Sequence, residues 1–196
     1  VTANLISGRG RPRGFDTEQA LATGEALFHE KGYDGVGLAA LTSALGIKPP
    51  SFYAAFGSKA AFFERVLQRY SSAATPIEDL FVPGRPPIDA LAQLLLGSAR
   101  DYAADPGRRG CLVLEAARSS TDAEICQLAR TAAQHPRTAI RGFLMQSHPD
   151  AADGVTDMVI ATMSGMSAAA REGWDEERLS RVARIALMGI AAELGD

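Results

Sequence analysis

The chain has 196 residues, 46% of them hydrophobic and 22% charged, with a formal net charge of −3. That is enough apolar material for a packed core in one domain, or in a small domain joined to a larger one. No run of about 18 apolar residues suggests a membrane span, and no basic-then-apolar leader opens the sequence, so the expected location is cytoplasmic.

The charge divides unevenly, which matters because only local cations neutralise phosphate. Residues 1–70 carry eight basic and six acidic side chains, and residues 71–196 carry twelve and seventeen. Arg9, Arg11 and Arg13 stand in GRGRPRG, a Gly- and Pro-rich segment that predicts a flexible or extended basic arm over 1–14. Its Arg9-Gly10-Arg11-Pro12 core resembles the AT-hook peptide, whose guanidinium groups lie in the narrow minor groove of A·T-rich DNA. Asp16 followed by Gln19 forms a capping box that opens a first helix. Ala20, Leu21, Leu27 and Phe28 give that helix its apolar face, and it ends near Gly32.

The next stretch, LAALTSALGIKPPSFYAAFGSK over 38–59, predicts two short helices joined by a tight turn. Leu38, Leu41 and Leu45 make the buried stripe of the first, and Gly46 supplies the left-handed residue that ends it. Ile47 plugs the turn. Pro49 or Pro50 opens the second helix, where a fixed φ helps and a missing N–H costs nothing. Phe52 and Phe56, four apart, face inward and leave Ser51, Tyr53, Ala54 and Ala55 outside. Gly57 closes this helix, Ser58 caps the next, and Lys59 lies in its first turn. There is no Asp or Glu between residues 35 and 63, although acids outnumber bases in the whole chain. An acid-free face of small and polar groups suits phosphate and base edges. The candidate DNA contacts here are Lys48, Pro49, Pro50, Ser51, Tyr53, Ala55 and Lys59.

The segment GYDGVGLAALTSALGIKPPSFYAAFGSKAAFFERVL, residues 32–67, resembles the DNA-binding signature of the TetR/AcrR family of bacterial transcription repressors. The match includes Gly32-Tyr33, the Leu-Gly-Ile turn, Pro-Ser-Phe-Tyr, and Phe-Gly-Ser-Lys before an apolar helix. The resemblance implies an all-α protein. A three-helix helix-turn-helix domain at 15–57 would join, through a fourth helix, a larger effector-binding and dimerisation domain at 58–196. Its partners would be a double-stranded DNA operator, a second copy of the chain and an unknown small-molecule effector. Family members usually place Thr or Ser just before the second helix, where the hydroxyl caps the helix and touches a phosphate. Val36 and Gly37 stand there in this sequence, so Gly37 is a DNA-facing cap without a hydroxyl.

From Ser58 the fourth helix continues through Phe62, Phe63, Val66, Leu67 and Tyr70, and it belongs to both domains. Five further helices are predicted at about 88–104, 110–118, 122–146, 154–172 and 175–194, with a kink at Pro136 in the longest. The last two carry apolar and small residues all round, which predicts cover from a second protomer at Met158, Ala161, Gly165, Ile185, Met188 and Ile190. Tyr102, Cys111, Leu114, Arg118, Phe143, Met145, Met163 and Trp174 lie on helices that resemble the family's effector-binding ones, and are the candidate effector contacts. Gly110-Cys111-Leu112, beside Arg108 and Arg109 at a helix start, also has the makings of a thiol sensor, although a free cysteine is more commonly a small buried hydrophobe.

Cys111 and Cys126 give neither a disulfide framework nor metal spacing, and His29, His135 and His148 are scattered, so no metal or cofactor is expected. No GxSxG elbow, Walker loop or dinucleotide fingerprint occurs, which argues against an enzyme. Two readings stand beside the repressor: a helical enzyme or small-molecule-binding protein with a structural hairpin, and an architectural DNA binder led by the arm.

Overall fold

A computed structural model describes residues 16–74 and 76–195. Among them are ten helices and no strands: α1 Thr17–Lys31, α2 Leu38–Ala44, α3 Pro49–Phe56, α4 Lys59–Ala73, α5 Ile77–Leu80, α6 Pro87–Ala103, α7 Leu112–Ser119, α8 Ala123–Leu144, α9 Ala152–Arg171 and α10 Glu176–Leu194. The start signals at Asp16 and Ser58 operate as the sequence predicts, and Asp122 and Asp175 act in the same way. Asp16, Ser58, Asp122 and Asp175 each cap a helix with a side-chain oxygen that accepts from a first-turn amide.

The first core gathers α1 to α4 around Phe28, Phe52, Phe62 and Phe63, all fully buried. Each such ring contributes roughly 1.5–3 kcal/mol by leaving water. The Phe28 and Phe63 rings meet edge to face with centroids 4.8 Å apart, and Phe56 meets Phe62 at 4.5 Å. Gly24 permits this: a Cβ there would lie 2.4 Å from Phe62 Cε1, so α1 and α4 approach as closely as they do only because the position has no side chain. The same core extends into Leu112, Val113 and Ala116 of α7 and Ile125 and Ala129 of α8. The inner face of α4 is thus shared between the helix-turn-helix and the body.

The second core lies among α6, α8, α9 and α10, with Leu91, Leu95, Ile140, Leu144, Val159, Met166 and Leu179 at its centre. Ile190 belongs to it at 2% exposure. This corrects the expectation that Ile190 faces a partner protomer. Residues 179, 183, 190 and 194 form the inner stripe of α10, and Ile190 falls on that stripe rather than opposite it.

Two further differences concern the connections. The segment before α6 contains the four-residue helix α5, which buries Ile77 and Leu80. Flanking prolines and glycines hide so short an element from periodicity. Pro136 lies inside α8, which continues as helix to Leu144.

Candidate nucleic-acid interface and effector cavity

The α2–α3 pair is built by its turn. The Leu45 amide bonds the Leu41 carbonyl at 2.9 Å, and Gly46 then takes φ +65°, a conformation costly for a residue with a Cβ. The Ile47 amide returns to the Thr42 carbonyl at 3.0 Å and locks the reversal. Lys48 is the extended N-cap of α3, and its carbonyl accepts from the Ser51 and Phe52 amides at 2.9 and 3.1 Å. Pro49 and Pro50 follow without cost, since first-turn amides have no partner inside the helix. Phe52 and Phe56 point into the first core, while Lys48, Pro49, Pro50, Ser51, Ala54 and Ala55 are exposed and Tyr53 is 51% exposed. Gly37 caps α2 without a side-chain bond. The result is one exposed helix face with no acid on it and a lysine at its entry.

Lys59 is placed differently from its neighbours. It is half-buried, its ammonium donates to the Tyr33 carbonyl at 2.7 Å, and it sits 3.8 Å from the centroid of the Tyr33 ring. Burial lowers its pKa, and Asp34 and Asp122 oppose that shift. One donor is thus committed inward, and α3 and α4 are pinned to the end of α1. The arm residues Arg9, Arg11 and Arg13 lie outside the described residues.

Three polar ties join this head to the rest of the molecule. Asp34 accepts from the Thr121 amide at 2.6 Å, the Thr121 hydroxyl at 2.9 Å and the Ser120 hydroxyl at 3.0 Å, and these bonds hold its carboxyl below the usual range. Glu25, 4% exposed, bridges Arg69 of α4 and Arg108 of the α6–α7 loop, the latter at 3.1 Å. Arg171 of α9 donates to the His29 carbonyl at 3.0 Å. His29 is buried, its Nδ1 has no partner among the described residues, and burial together with Arg108 and Arg171 lowers its pKa to about 4.

Behind the ties lies a cavity of about 1440 Å³ between α4, α5, α6, α7, α8 and α9. Tyr102, Cys111, Leu114 and Met163, four of the eight candidate effector contacts, line it. Cys111 opens α7, its amide accepted by the Ser167 hydroxyl at 2.8 Å, and burial raises the pKa of its thiol. A helix N-terminus and nearby arginines do not outweigh that desolvation here.

The N-terminal helices match the model of the tetR family of bacterial regulatory proteins over residues 20–66. The HTH-type transcriptional repressor BdcR of Escherichia coli K12 is 43% identical over 187 residues, a span that covers 95% of this chain and 94% of that protein. The chain belongs to the TetR family of bacterial regulatory proteins. The HTH-type transcriptional repressor ComR of the same organism is 29% identical and covers 93% of this chain and 92% of its own. Among solved structures, a cysteine mutant of the TetR family transcriptional regulator CifR, complexed with a 26-base-pair double-strand operator DNA, superposes with a TM-score of 0.77. It is 30% identical and covers 91% of this chain and 98% of its own. The protein is therefore a DNA-binding transcription regulator and not an enzyme.

In this TetR-family chain four of the expected effector contacts lie away from the cavity. Arg118 is exposed and pairs with Glu115. Phe143 packs on Phe81 with centroids 5.1 Å apart, and Met145 caps the outer end of α8 at 41% exposure. Trp174 is covered by the Arg178 guanidinium, 3.8 Å over its ring, and its carbonyl accepts from Arg109 at 2.8 Å. The reason is position along the elements: Arg118 lies one turn beyond Leu114 on α7, Phe143 lies two turns beyond Pro136 on α8, Met145 follows the end of α8, and Trp174 falls between α9 and α10, so a resemblance by element does not give the level of the cavity. Leu128, Ala132 and Pro136, at i, i+4 and i+8, do line it. They form a second stripe on α8, distinct from Ile125, Ala129 and Ile140, and that spacing was the available signal.

The regulator also exposes large apolar side chains on its last two helices. Met158 is 49%, Ile185 64% and Met188 74% exposed, with Ala161 and Gly165 open beside them. No helix among the described residues is long and apolar enough to cross a membrane.

Proposed function

We propose that the protein is a homodimeric repressor that binds a pseudo-palindromic operator through α3 of each protomer and is released by an organic effector held in the cavity. The observation that carries this is the outer face of α3, where Lys48, Ser51, Tyr53 and Ala55 are exposed together with no acid between residues 35 and 63. Such a face suits the major groove: the lysine neutralises phosphate, and the small residues let backbone and tyrosine reach base edges. BdcR and ComR, both named as transcriptional repressors, and the operator complex of CifR support it.

Dimerisation follows from the unpartnered apolar faces of α9 and α10, which are too large to be left in water and pack most simply on their own copy. The boundary between head and body falls within α4, whose inner face both share, so a tilt of α4 moves the head. Arg9, Arg11 and Arg13 supply minor-groove contacts in A·T-rich flanks. The protein works where the chromosome is, in the cytoplasm.

The test is operator binding by fluorescence anisotropy, on sites selected from random DNA, with and without ligand. An effector that weakens operator binding about a hundredfold must itself bind about a hundredfold more weakly in the presence of operator, a coupling of about 2.7 kcal/mol. Equal ligand affinity with and without operator would exclude that ligand as the inducer.

A further inference from the structure

The charge around the cavity is one-sided. Glu64, Glu78, Asp101 and Glu124 border it, against the guanidinium of Arg100 and the imidazole of His135. His135 Nε2 lies 2.9 Å from Glu78, and Arg100 Nε lies 3.9 Å from Glu176, which is not part of the lining, an ion-pair contact too long for a hydrogen bond. Glu64, Asp101 and Glu124 have no ion-pair partner among the described residues.

The inner wall has the same polarity without formal charge. Tyr70 and Tyr102 line it, and burial raises the pKa of both phenols, so they stay neutral. Aromatic faces attract cations and repel anions. Ala132 and Pro136 line it as well, and Pro136 has no N–H to give the Ala132 carbonyl, which leaves a helical acceptor short of its partner. Leu94, Leu114, Leu128 and Met163 complete an apolar body. An anion entering this space would lose its water and meet four carboxylates against one guanidinium that already stands beside Glu176, whereas a cation would meet that carboxylate excess and the aromatic rings of Tyr70 and Tyr102.

From the cavity taken as effector site above, and resting on that reading, we infer that its ligand class is the bulky organic cation, with the apolar part held among the leucines and the charge toward the carboxylates. The volume of about 1440 Å³ exceeds the roughly 300–1,000 Å³ of common ligand pockets, which suits branched or aromatic substituents.

Tetraphenylphosphonium and tetraphenylborate test this, because they share shape and apolar surface and differ in sign. Calorimetric titration of the full chain at low salt should show the phosphonium binding at least about tenfold more tightly, with the difference shrinking as salt screens the rim. The Asp101→Asn/Glu124→Gln variant changes only exposed side chains and should cut the preference by about threefold or more. Gly97→Trp should weaken binding of the cation about threefold or more, since Gly97 borders the cavity on α6 and a Cβ there meets nothing within 4 Å, so the side chain takes part of the ligand's space. Equal or tighter binding of the borate, no binding of the phosphonium, an unchanged preference in the double variant, or binding that Gly97→Trp leaves unweakened would each overturn the inference. Operator release is read separately by anisotropy. A cation that binds selectively yet leaves the operator bound contradicts effector control and leaves the charge preference standing. Release by the anion alone does the reverse.

Discussion

Tyr53 and Lys59 lie six residues apart and are tied to the molecule in opposite ways. Tyr53 has half its surface in water, so Tyr53→Ala should lower operator affinity about tenfold or more and change its sequence preference, while stability moves by no more than about 0.5 kcal/mol. Lys48→Ala should weaken all sequences alike and reduce the salt slope by about one per protomer. Lys59 holds Tyr33, so Lys59→Ala should cost about 1 kcal/mol of folding stability in chemical denaturation, whatever it does to DNA. His29 gives a pH signature. Its pKa falls from 6.5 to about 4 on folding because burial and two arginines disfavour the imidazolium, so the unfolded chain binds the extra proton between those values. Its contribution is therefore complete above pH 6.5 and lost as pH falls toward 4, roughly 2–4 kcal/mol in all. His29→Phe, which keeps the ring against Tyr70, should flatten denaturation midpoints over that window relative to wild type; an unchanged pH profile would show that the imidazole is not excluded from protonation.

At the scale of elements, most of the fold was legible because helix signals are local. Asp16, Gly46, Gly57, Ser58 and Asp175 mark ends by capping chemistry or a required φ, and the structure uses each as its residue type dictates. The outer face of α3 was legible for the same reason, since Phe52 and Phe56 fix its phase. What the sequence hid depends on which neighbour a face meets. Ile190 lies on an apolar helix whose two sides differ only in partner, and the missed cavity residues belong to a second stripe on α8 that periodicity alone cannot assign. The contacts between head and body are long-range and polar, with no sequence pattern: Glu25 meets Arg108 83 positions later, and Asp34 meets Thr121 87 later. They predict coupling. Glu25→Gln and Arg108→Ala should be non-additive by about 0.5–3 kcal/mol in a double-mutant cycle, and strict additivity would show that the pair is not energetically joined. Gly24→Val should be the severe change within the head, because its Cβ would enter the Phe62 ring and force α1 from α4 at a cost of about 1–3 kcal/mol or more.

The whole molecule must be a dimer if two heads are to read one operator. Ile185→Asp together with Met188→Asp places charges on the exposed face and spares the core, so light scattering should show folded monomers. Ile190→Asp should instead unfold the protomer, at roughly 3–5 kcal/mol for an unpaired buried charge. Monomers of the first variant should lose operator binding steeply, since each head alone keeps only half the contacts. The most direct measurement is footprinting on DNA selected from random sequence by the wild-type protein, repeated with the Lys48→Ala/Tyr53→Ala variant. The expected result is a protected pseudo-palindrome with half-sites about one helical turn apart, or a modest multiple of it, that the variant no longer protects at the same concentration. Protection undiminished in the variant, or selection that yields no recurring half-site, would contradict DNA reading by α3.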